Sequence, residues 1–294
     1  MLTKKNVSNH KKAFWIFITP SAILFTIFFL VPLVLSIIFT FTNYDGWKNM
    51  EFVGLENYKN LFTDSDFYYS MAKTGMYTLF SLPFKVIIPL LIALLLTSKN
   101  VLGKSIMQTT IYIPVLLSAL VVGITINWMF GQEYGLINFI LENFNITPLE
   151  WALNSRLATF VISFASNWSS TGFFMIIFIG GINSISKDIY EAVCIDGANK
   201  FQTFFQITLP LLLPTTFMVI LLSTVNLLKE YALVQGITQG GPGTSTTYIV
   251  QFIFSKGFDQ SMYGYASTIS IVTMVTFVLI AFIQFKVSRG GDIA

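Results

Sequence analysis

The chain has 294 residues, of which 54% are hydrophobic and 11% are charged, and its mean hydropathy is +0.70. Soluble globular domains carry about 25% charged residues, so this composition excludes an ordinary cytosolic enzyme, a disordered chain and a nucleic-acid binder with a basic face. The net charge of +3 is small, and one cysteine and one histidine provide neither a disulfide nor a histidine-rich metal site. We therefore expect a protein that lies in the lipid bilayer.

Six apolar stretches are long enough to cross a bilayer, since a hydrocarbon core about 30 Å thick needs about 20 helical residues. The predicted spans are 13–41, 74–97, 105–130, 157–180, 208–234 and 265–285. The first is longer than the apolar core of a signal peptide, so we interpret it as a retained anchor. The sequence predicts an all-α membrane protein with about six transmembrane helices, divided into an N-terminal segment 1–12, a transmembrane domain 13–287 and a tail 288–294.

The distribution of basic residues predicts the orientation, because lysines and arginines are retained on the cytoplasmic side. With the N-terminus inside, ten are cytoplasmic: Lys4, Lys5, Lys11, Lys12, Lys99, Lys104, Lys187, Lys200, Lys286 and Arg289. Five are then outside: Lys48, Lys59, Lys73, Arg156 and Lys256. We expect both termini and the segment 181–207 to be cytoplasmic.

Motifs that carry catalysis are missing from the sequence. It has no G-x-x-x-x-G-K-[ST], H-E-x-x-H or G-x-S-x-G pattern, and the glycine cluster at 240–243 lacks a lysine. An enzyme would have to depend on Glu230 and a few hydroxyl groups. We expect a non-catalytic subunit that binds no cofactor or metal and does not itself hydrolyse ATP.

The segment between spans four and five has the strongest local pattern. A short helix is predicted over 187–196, Gly197 supplies the left-handed residue that ends it, and a second helix is predicted over 199–208. Phe201, Phe204 and Phe205 are available to tie this hairpin to the membrane body or to a partner. Such a compact projection is suited to pushing on another subunit.

This segment resembles the signature loop of permease subunits of binding-protein-dependent ABC importers, which reads E-A-A, three residues, G, nine residues, I-x-L-P. The matching positions are Glu191, Ala192, Gly197, Ile207, Leu209 and Pro210, and Val193 replaces the usual third alanine. The segments 52–58 (F-V-G-L-E-N-Y), 134–138, 240–246 and 258–267 resemble the carbohydrate-uptake branch. The short C-terminus is similar to that of the first permease of a pair, as in the maltose, lactose or glycerol-phosphate types.

The resemblance implies a set of partners in a bacterial cytoplasmic (inner) membrane. These are a second permease, two cytoplasmic ATPase subunits that use ATP and Mg²⁺, an extracellular or periplasmic binding protein and a carbohydrate. The signature loop would form coupling helices that dock on the ATPase. Glu191 and Asp196 would orient them through polar contacts, unless they are simple helix-surface charges, and Ala192 or Val193 would make an apolar contact.

A translocation path needs polar groups that face a cavity, because an ionised carboxylate at membrane depth costs roughly 2.5 kcal/mol or more. In span five, Ser223, Asn226, Leu227 and Glu230 recur on one predicted helical face. These positions, and Trp168 in span four, line up with substrate-contacting positions of the maltose-type permease. Alternatively, Trp168 packs in the bundle and Glu230 lies near the outer interface.

Two lysines lie within or at the edge of predicted spans. Lys85 could pair with Glu230, line the path or extend its ammonium group to the interface. Lys229 is about 100° around the helix from Glu230 and could reach the external surface. The alternative function is a secondary transporter or channel, which predicts coupling carboxylates in several spans. Sugar size and charge stay open.

Overall fold

The computed structural model describes residues 4–47, 50–98 and 101–289, with side chains from 14 to 288. The predictions for Lys48, for Lys99, for residues 1–3 of the N-terminal segment and for residues 290–294 of the tail therefore concern residues outside the described ranges. The α-helices are α1 (Lys4–Phe25), α2 (Val31–Phe39), α3 (Glu56–Thr63), α4 (Ser65–Thr97), α5 (Lys104–Tyr112), α6 (Ala119–Met129), α7 (Leu136–Asn143), α8 (Ser155–Ser184), α9 (Lys187–Ile195), α10 (Lys200–Gln202), α11 (Leu209–Leu211), α12 (Leu213–Leu228), α13 (Ala232–Ile237), α14 (Ile249–Phe254) and α15 (Tyr263–Arg289).

The described part of the chain is all-helical apart from one isolated antiparallel bridge between Thr42 and Phe52. Four helical stretches are long and apolar enough to cross a membrane: Phe14–Phe39, Ser65–Thr97, Ser155–Ser184 and Tyr263–Ser288. Two bent pairs also qualify, Lys104–Leu116 with Ala119–Met129 at 99° and Lys200–Leu211 with Leu213–Leu228 at 66°. The candidate spans therefore number four to six, which agrees with the predicted count when each bent pair is one span.

The two bends have local causes in the sequence. Pro114 lies in a 3₁₀ turn, and Leu117 and Ser118 are extended before α6 begins. Pro210 and Pro214 flank the break at Leu212. Because proline has no backbone N–H and its ring clashes with the preceding turn, it ends or kinks a helix. The fifth span, predicted over 208–234, ends earlier than predicted: α12 ends at Leu228 and α13 is a separate helix.

The described chain divides into two compact units. The first comprises residues up to 67 and residues 253–275. In it, the buried amide of Asn57 donates to the carbonyl oxygens of Thr40 and Thr42 at 2.9 and 2.8 Å. Gly264 packs so closely on the same turn that a Cβ atom would lie 2.1 Å from Thr42 O. Asn57 belongs to the 52–58 motif and Gly264 to the 258–267 motif, so both motifs act in helix packing here.

The second unit comprises residues 68–252 and 276–289 of the described chain and has two buried apolar clusters. The first cluster includes Tyr77, Ile162 and Leu227, and the second includes Phe178 and Leu212. Helices α6 and α13 touch through glycines, since a Cβ on Gly123 would lie 2.9 Å from Gly236 Cα. Burial of these clusters fixes α4, α8 and α12 against one another, which positions the polar groups described next.

Candidate functional site

Lys85 lies in α4 and is 1% exposed, so its ammonium group is buried within the second unit. Lys85 Nζ donates a hydrogen bond to Ser166 Oγ on α8 at 2.8 Å and a second, short one to Asn226 Oδ1 on α12. A buried charge is costly unless it is paired and hydrogen-bonded. These contacts give the ammonium group two oxygen partners on two different helices.

Glu230 supplies the opposite charge beside this lysine. Ser166 Oγ donates to Glu230 Oε2 at 3.1 Å, so one hydroxyl group connects Lys85 to Glu230. The backbone N–H groups of Tyr231 and Leu233 also stabilise the carboxylate. The carboxylate is therefore held by backbone and side-chain donors at the point where α12 has ended and α13 has not begun.

A cavity of about 640 Å³ opens beside this cluster within the second unit. Its polar lining residues are Ser166, Ser169, Ser170, Asn226, Lys229, Glu230 and Tyr231, and its apolar lining residues include Pro114, Leu117, Phe173, Leu222 and Val225. Ligand pockets have volumes of about 300–1,000 Å³ and combine apolar walls with a few convergent polar groups. The cavity has this character and can hold a small polar solute.

The structure separates the predicted path residues of span five. Asn226 and Glu230 line the cavity, whereas Ser223 and Leu227 are fully buried and do not. The prediction of one helical face is wrong for Glu230, because α12 ends at Leu228 and the carboxylate lies in the linker that follows. Lys229 is exposed and lines the same cavity. The spacing i, i+3, i+4 and i+7 places these four residues on one face only if the helix continues to Glu230, and it does not.

Lys85 and Trp168 are also expected to line the path, but neither lines this cavity. Lys85 is buried behind the wall rather than on it, which contradicts both a lining position and extension to the interface. Trp168 is 43% exposed and lines a separate apolar pocket of about 220 Å³ with Phe164 and Met129. That pocket shares Leu117 with the cavity, and Trp168 does not line the cavity itself.

Sequence reasoning missed Ser166, which joins the two charges. Ser163, Ser166 and Ser170 recur at i, i+3 and i+7 in α8, a polar stripe that could have indicated a buried or cavity-facing side. Serine hydroxyl groups in helices commonly donate to a backbone carbonyl one turn earlier in the same helix. Ser170 Oγ donates in this way to Ser166 O at 2.7 Å. The stripe alone therefore does not show which serine binds a charge.

The segment 186–210 folds as a helix, a glycine turn and a second helix, as its sequence predicts. Ser186 caps α9, and the N–H of Ala198 bonds to the carbonyl of Val193 at 3.2 Å around Gly197, which has φ +74°. This is a Schellman-type end, which requires a left-handed residue. Asn199 and Gln202 form a reciprocal capping box at the start of the second helix.

The hairpin presents one face to its own unit and leaves another uncovered in the described structure. Ile207 and Leu209 are half-buried, and Leu209 packs against the second apolar cluster. Glu191, Ala192, Asp196, Gly197 and Pro210 are exposed. Ile195 is 86% exposed and Phe201 is 72% exposed. The hairpin is thus anchored by its second helix and carries exposed polar and apolar side chains at its turn.

These features define a multi-pass membrane protein with a polar cavity and a projecting helical hairpin. The chain belongs to the family of binding-protein-dependent transport system inner membrane components, because the sequence profile of that family matches residues 64–289. The cavity and the hairpin of this chain both lie within the matched residues. The predicted family resemblance is confirmed.

Three relatives are named as sugar permeases. The chain is 33% identical to the trehalose/maltose transport system permease protein MalF of Thermococcus litoralis, over 81% of this chain and 80% of that protein. It is 31% identical to the arabinooligosaccharides transport system permease protein AraP of Bacillus subtilis, over 95% and 89% of the two chains. It is also 31% identical to the multiple sugar-binding transport system permease protein MsmF of Streptococcus mutans, over 95% of this chain and 96% of that protein.

The fold is similar to that of a solved transporter. A chain of a bacterial ABC transporter involved in the import of the acidic polysaccharide alginate superposes with a TM-score of 0.85 at 22% identity. The superposition covers 98% of this chain and 100% of that chain. A second structure of an alginate transporter, in complex with a pentasaccharide-bound periplasmic protein, gives a TM-score of 0.84 at 21% identity.

Proposed function

We propose that this chain is a permease subunit of an ATP-driven importer and forms, with a second permease, the pathway for a carbohydrate delivered by an external binding protein. The observation that carries this proposal is the near full-length similarity to permeases named for trehalose, maltose and arabino-oligosaccharides. The cavity beside Asn226 and Glu230 supports it, because amide and carboxylate groups can bond sugar hydroxyl groups. The substrate would be an oligosaccharide or a related polyol.

The hairpin is proposed to couple this pathway to two cytoplasmic ATPase subunits, which bind and use ATP and Mg²⁺. The exposed side chains of Ile195 and Phe201 support this role, since exposed apolar groups that cluster on a projection mark a protein interface. Exposed Glu191 and Asp196 would orient the contact by polar interactions. Docking requires the hairpin to be cytoplasmic. With six spans in the bacterial inner membrane, both termini are then cytoplasmic too, and the residues after α6 and α13 are outside.

The test is ATP hydrolysis by the complex purified through this chain and reconstituted in lipid. The external binding protein of the system would be added empty or loaded with trehalose, maltotriose, an arabinotriose or a uronate trisaccharide. We expect an ATPase to co-purify and a loaded binding protein to stimulate it. Solute uptake by this chain without an ATPase would overturn the proposal and favour a secondary transporter or channel.

Two glycine variants make this test specific for the hairpin. Gly197→Pro cannot adopt the φ of +74° because proline fixes φ near −65°, so it should abolish stimulation. Gly180→Ala is the matched control, because no atom lies within 4 Å of its added Cβ and its φ is ordinary. Equal stimulation in both variants would contradict a coupling role for the hairpin.

A further inference from the structure

Resting on the proposed function, we propose that Lys85 is a positioning residue that makes this cavity wall select a neutral sugar by two of its hydroxyl groups. The wall would offer the amide N–H groups of Asn226 as donors and the carboxylate of Glu230 as acceptor. Lys85 itself is buried behind both and does not line the cavity. Its effect would reach Asn226 through one hydrogen bond and Glu230 through two in series.

The first hydrogen bond fixes the amide of Asn226. An ammonium group has three donors and no acceptor, so the atom that Lys85 contacts on Asn226 has to be the carbonyl oxygen. The amide nitrogen of Asn226 therefore points away from Lys85. Since Asn226 is exposed and lines the cavity, its two N–H donors are free to face a substrate oxygen.

Two hydrogen bonds in series fix Glu230, one from Lys85 to Ser166 and one from Ser166 to Glu230. A hydroxyl group donates one hydrogen bond. Since the Lys85 ammonium group can only donate, the hydroxyl hydrogen of Ser166 is available to Glu230. Ser166 thereby holds Oε2, and the backbone N–H groups of Tyr231 and Leu233 also donate to the carboxylate. An ionised carboxylate has about four acceptor positions, so about one is left. Glu230 consequently retains acceptor capacity toward the cavity, four positions after the donor of Asn226 in the sequence.

The charges of this cluster favour a neutral ligand over an anion. Lys85 and Glu230 compensate each other, and the carboxylate is the member of the pair that lines the cavity. A sugar carboxylate near Glu230 would be repelled, whereas a hydroxyl group can both accept from Asn226 and donate to Glu230. Exposed Lys229 on the same cavity is the group that could attract an anion instead.

The test measures sugar transported per ATP hydrolysed by the complete complex in proteoliposomes with saturating loaded binding protein. Asn226→Asp keeps an oxygen for Lys85 but replaces the donor group by a second acceptor. Ser166→Ala disconnects Lys85 from Glu230 and leaves the Lys85 to Asn226 hydrogen bond in place. For the neutral sugar that stimulates wild type, we expect each variant to lower the ratio about 5- to 10-fold.

Ser163→Ala is the matched control, because Ser163 lies one turn before Ser166 and its hydroxyl oxygen accepts a hydrogen bond from Ser81 Oγ at 2.7 Å, outside this cluster. It should keep a wild-type ratio. Wild-type ratios in Asn226→Asp and Ser166→Ala, or preferred transport of the uronate trisaccharide, would overturn this inference and leave the importer function intact. An absence of stimulated ATP hydrolysis in wild type would instead show that the proposed function fails.

Discussion

Lys85 and Glu230 share one hydroxyl group: Ser166 Oγ accepts a hydrogen bond from Lys85 Nζ at 2.8 Å and donates one to Glu230 Oε2 at 3.1 Å. The lysine comes from α4, the serine from α8 and the carboxylate from the linker after α12. Three separate segments of the second unit are therefore tied by one ionic cluster. Removing one charge leaves the other without compensation in a largely apolar surrounding.

The first prediction concerns this charge balance. Lys85→Met should destabilise the protein by about 3 kcal/mol, because breaking a buried pair leaves an uncompensated charge. The double variant Lys85→Met/Glu230→Gln should recover most of that loss, since both charges are then absent. The measurement is the thermal midpoint of the detergent-purified complex, followed by size-exclusion chromatography. A double variant no more stable than Lys85→Met would contradict electrostatic compensation.

Much of the fold could be predicted from apolar runs and from the turn chemistry of single residues. A stretch such as Ser155–Ser184 has to be helical in a bilayer because its backbone groups have no water to bond. The hairpin follows from Gly197 and the capping pair Asn199 and Gln202, which act locally. These features need no knowledge of which helices are neighbours.

The candidate site could be predicted only in part, because it depends on tertiary contacts. Hydropathy places Asn226 and Glu230 in one apolar stretch but does not show that the helix stops at Leu228. Prolines such as Pro83 and Pro89 continue inside α4, whereas Pro210 and Pro214 flank a break. The presence of a proline explains a bend once it is seen but does not by itself show which helix will break.

The second prediction concerns topology and uses Cys194, which is exposed and is the single cysteine of the sequence. A membrane-impermeant maleimide should label it in inside-out vesicles and leave it unmodified in intact spheroplasts. Vesicles that contain the ATPase subunits should react more slowly, because the docked partner would cover the hairpin turn. Mass spectrometry of the labelled chain gives the modified fraction.

The control for this labelling is the variant Cys194→Ser/Tyr134→Cys. Tyr134 is 95% exposed and follows α6, on the side opposite to the hairpin in the predicted topology. The new thiol should react in spheroplasts. If Cys194 and the thiol at position 134 react from the same side, the predicted orientation is wrong.

The third prediction concerns Asn57 in the first unit. Asn57→Ala removes the donors of two carbonyl groups, Thr40 O and Thr42 O, and should cost about 1–3 kcal/mol. Thermal unfolding of the purified complex checks this, with exposed Asn60→Ala on the same helix as the control. Equal midpoints for the two variants would show that Asn57 does not hold the turn after α2.

The last prediction concerns Gly264 at the start of α15, where the backbone approaches the end of the first candidate span. A Cβ atom would lie 2.1 Å from Thr42 O and 3.2 Å from Phe39 O, and both neighbours are backbone atoms that cannot rotate away. Gly264→Ala should therefore shift α15 and weaken the hydrogen bond from Gly264 N to Tyr44 O, now 3.0 Å. Overpacking of this kind costs about 1–3 kcal/mol.

Gly75→Ala provides the matched comparison, because nothing lies within 4 Å of its added Cβ in the middle of α4. There the substitution should be neutral or raise the thermal midpoint, since alanine is about 1 kcal/mol more favourable than glycine inside a helix. Opposite shifts of the two midpoints would show that Gly264 is required for close approach of two backbones. Stabilisation by Gly264→Ala would show that the turn at Thr42 can move aside.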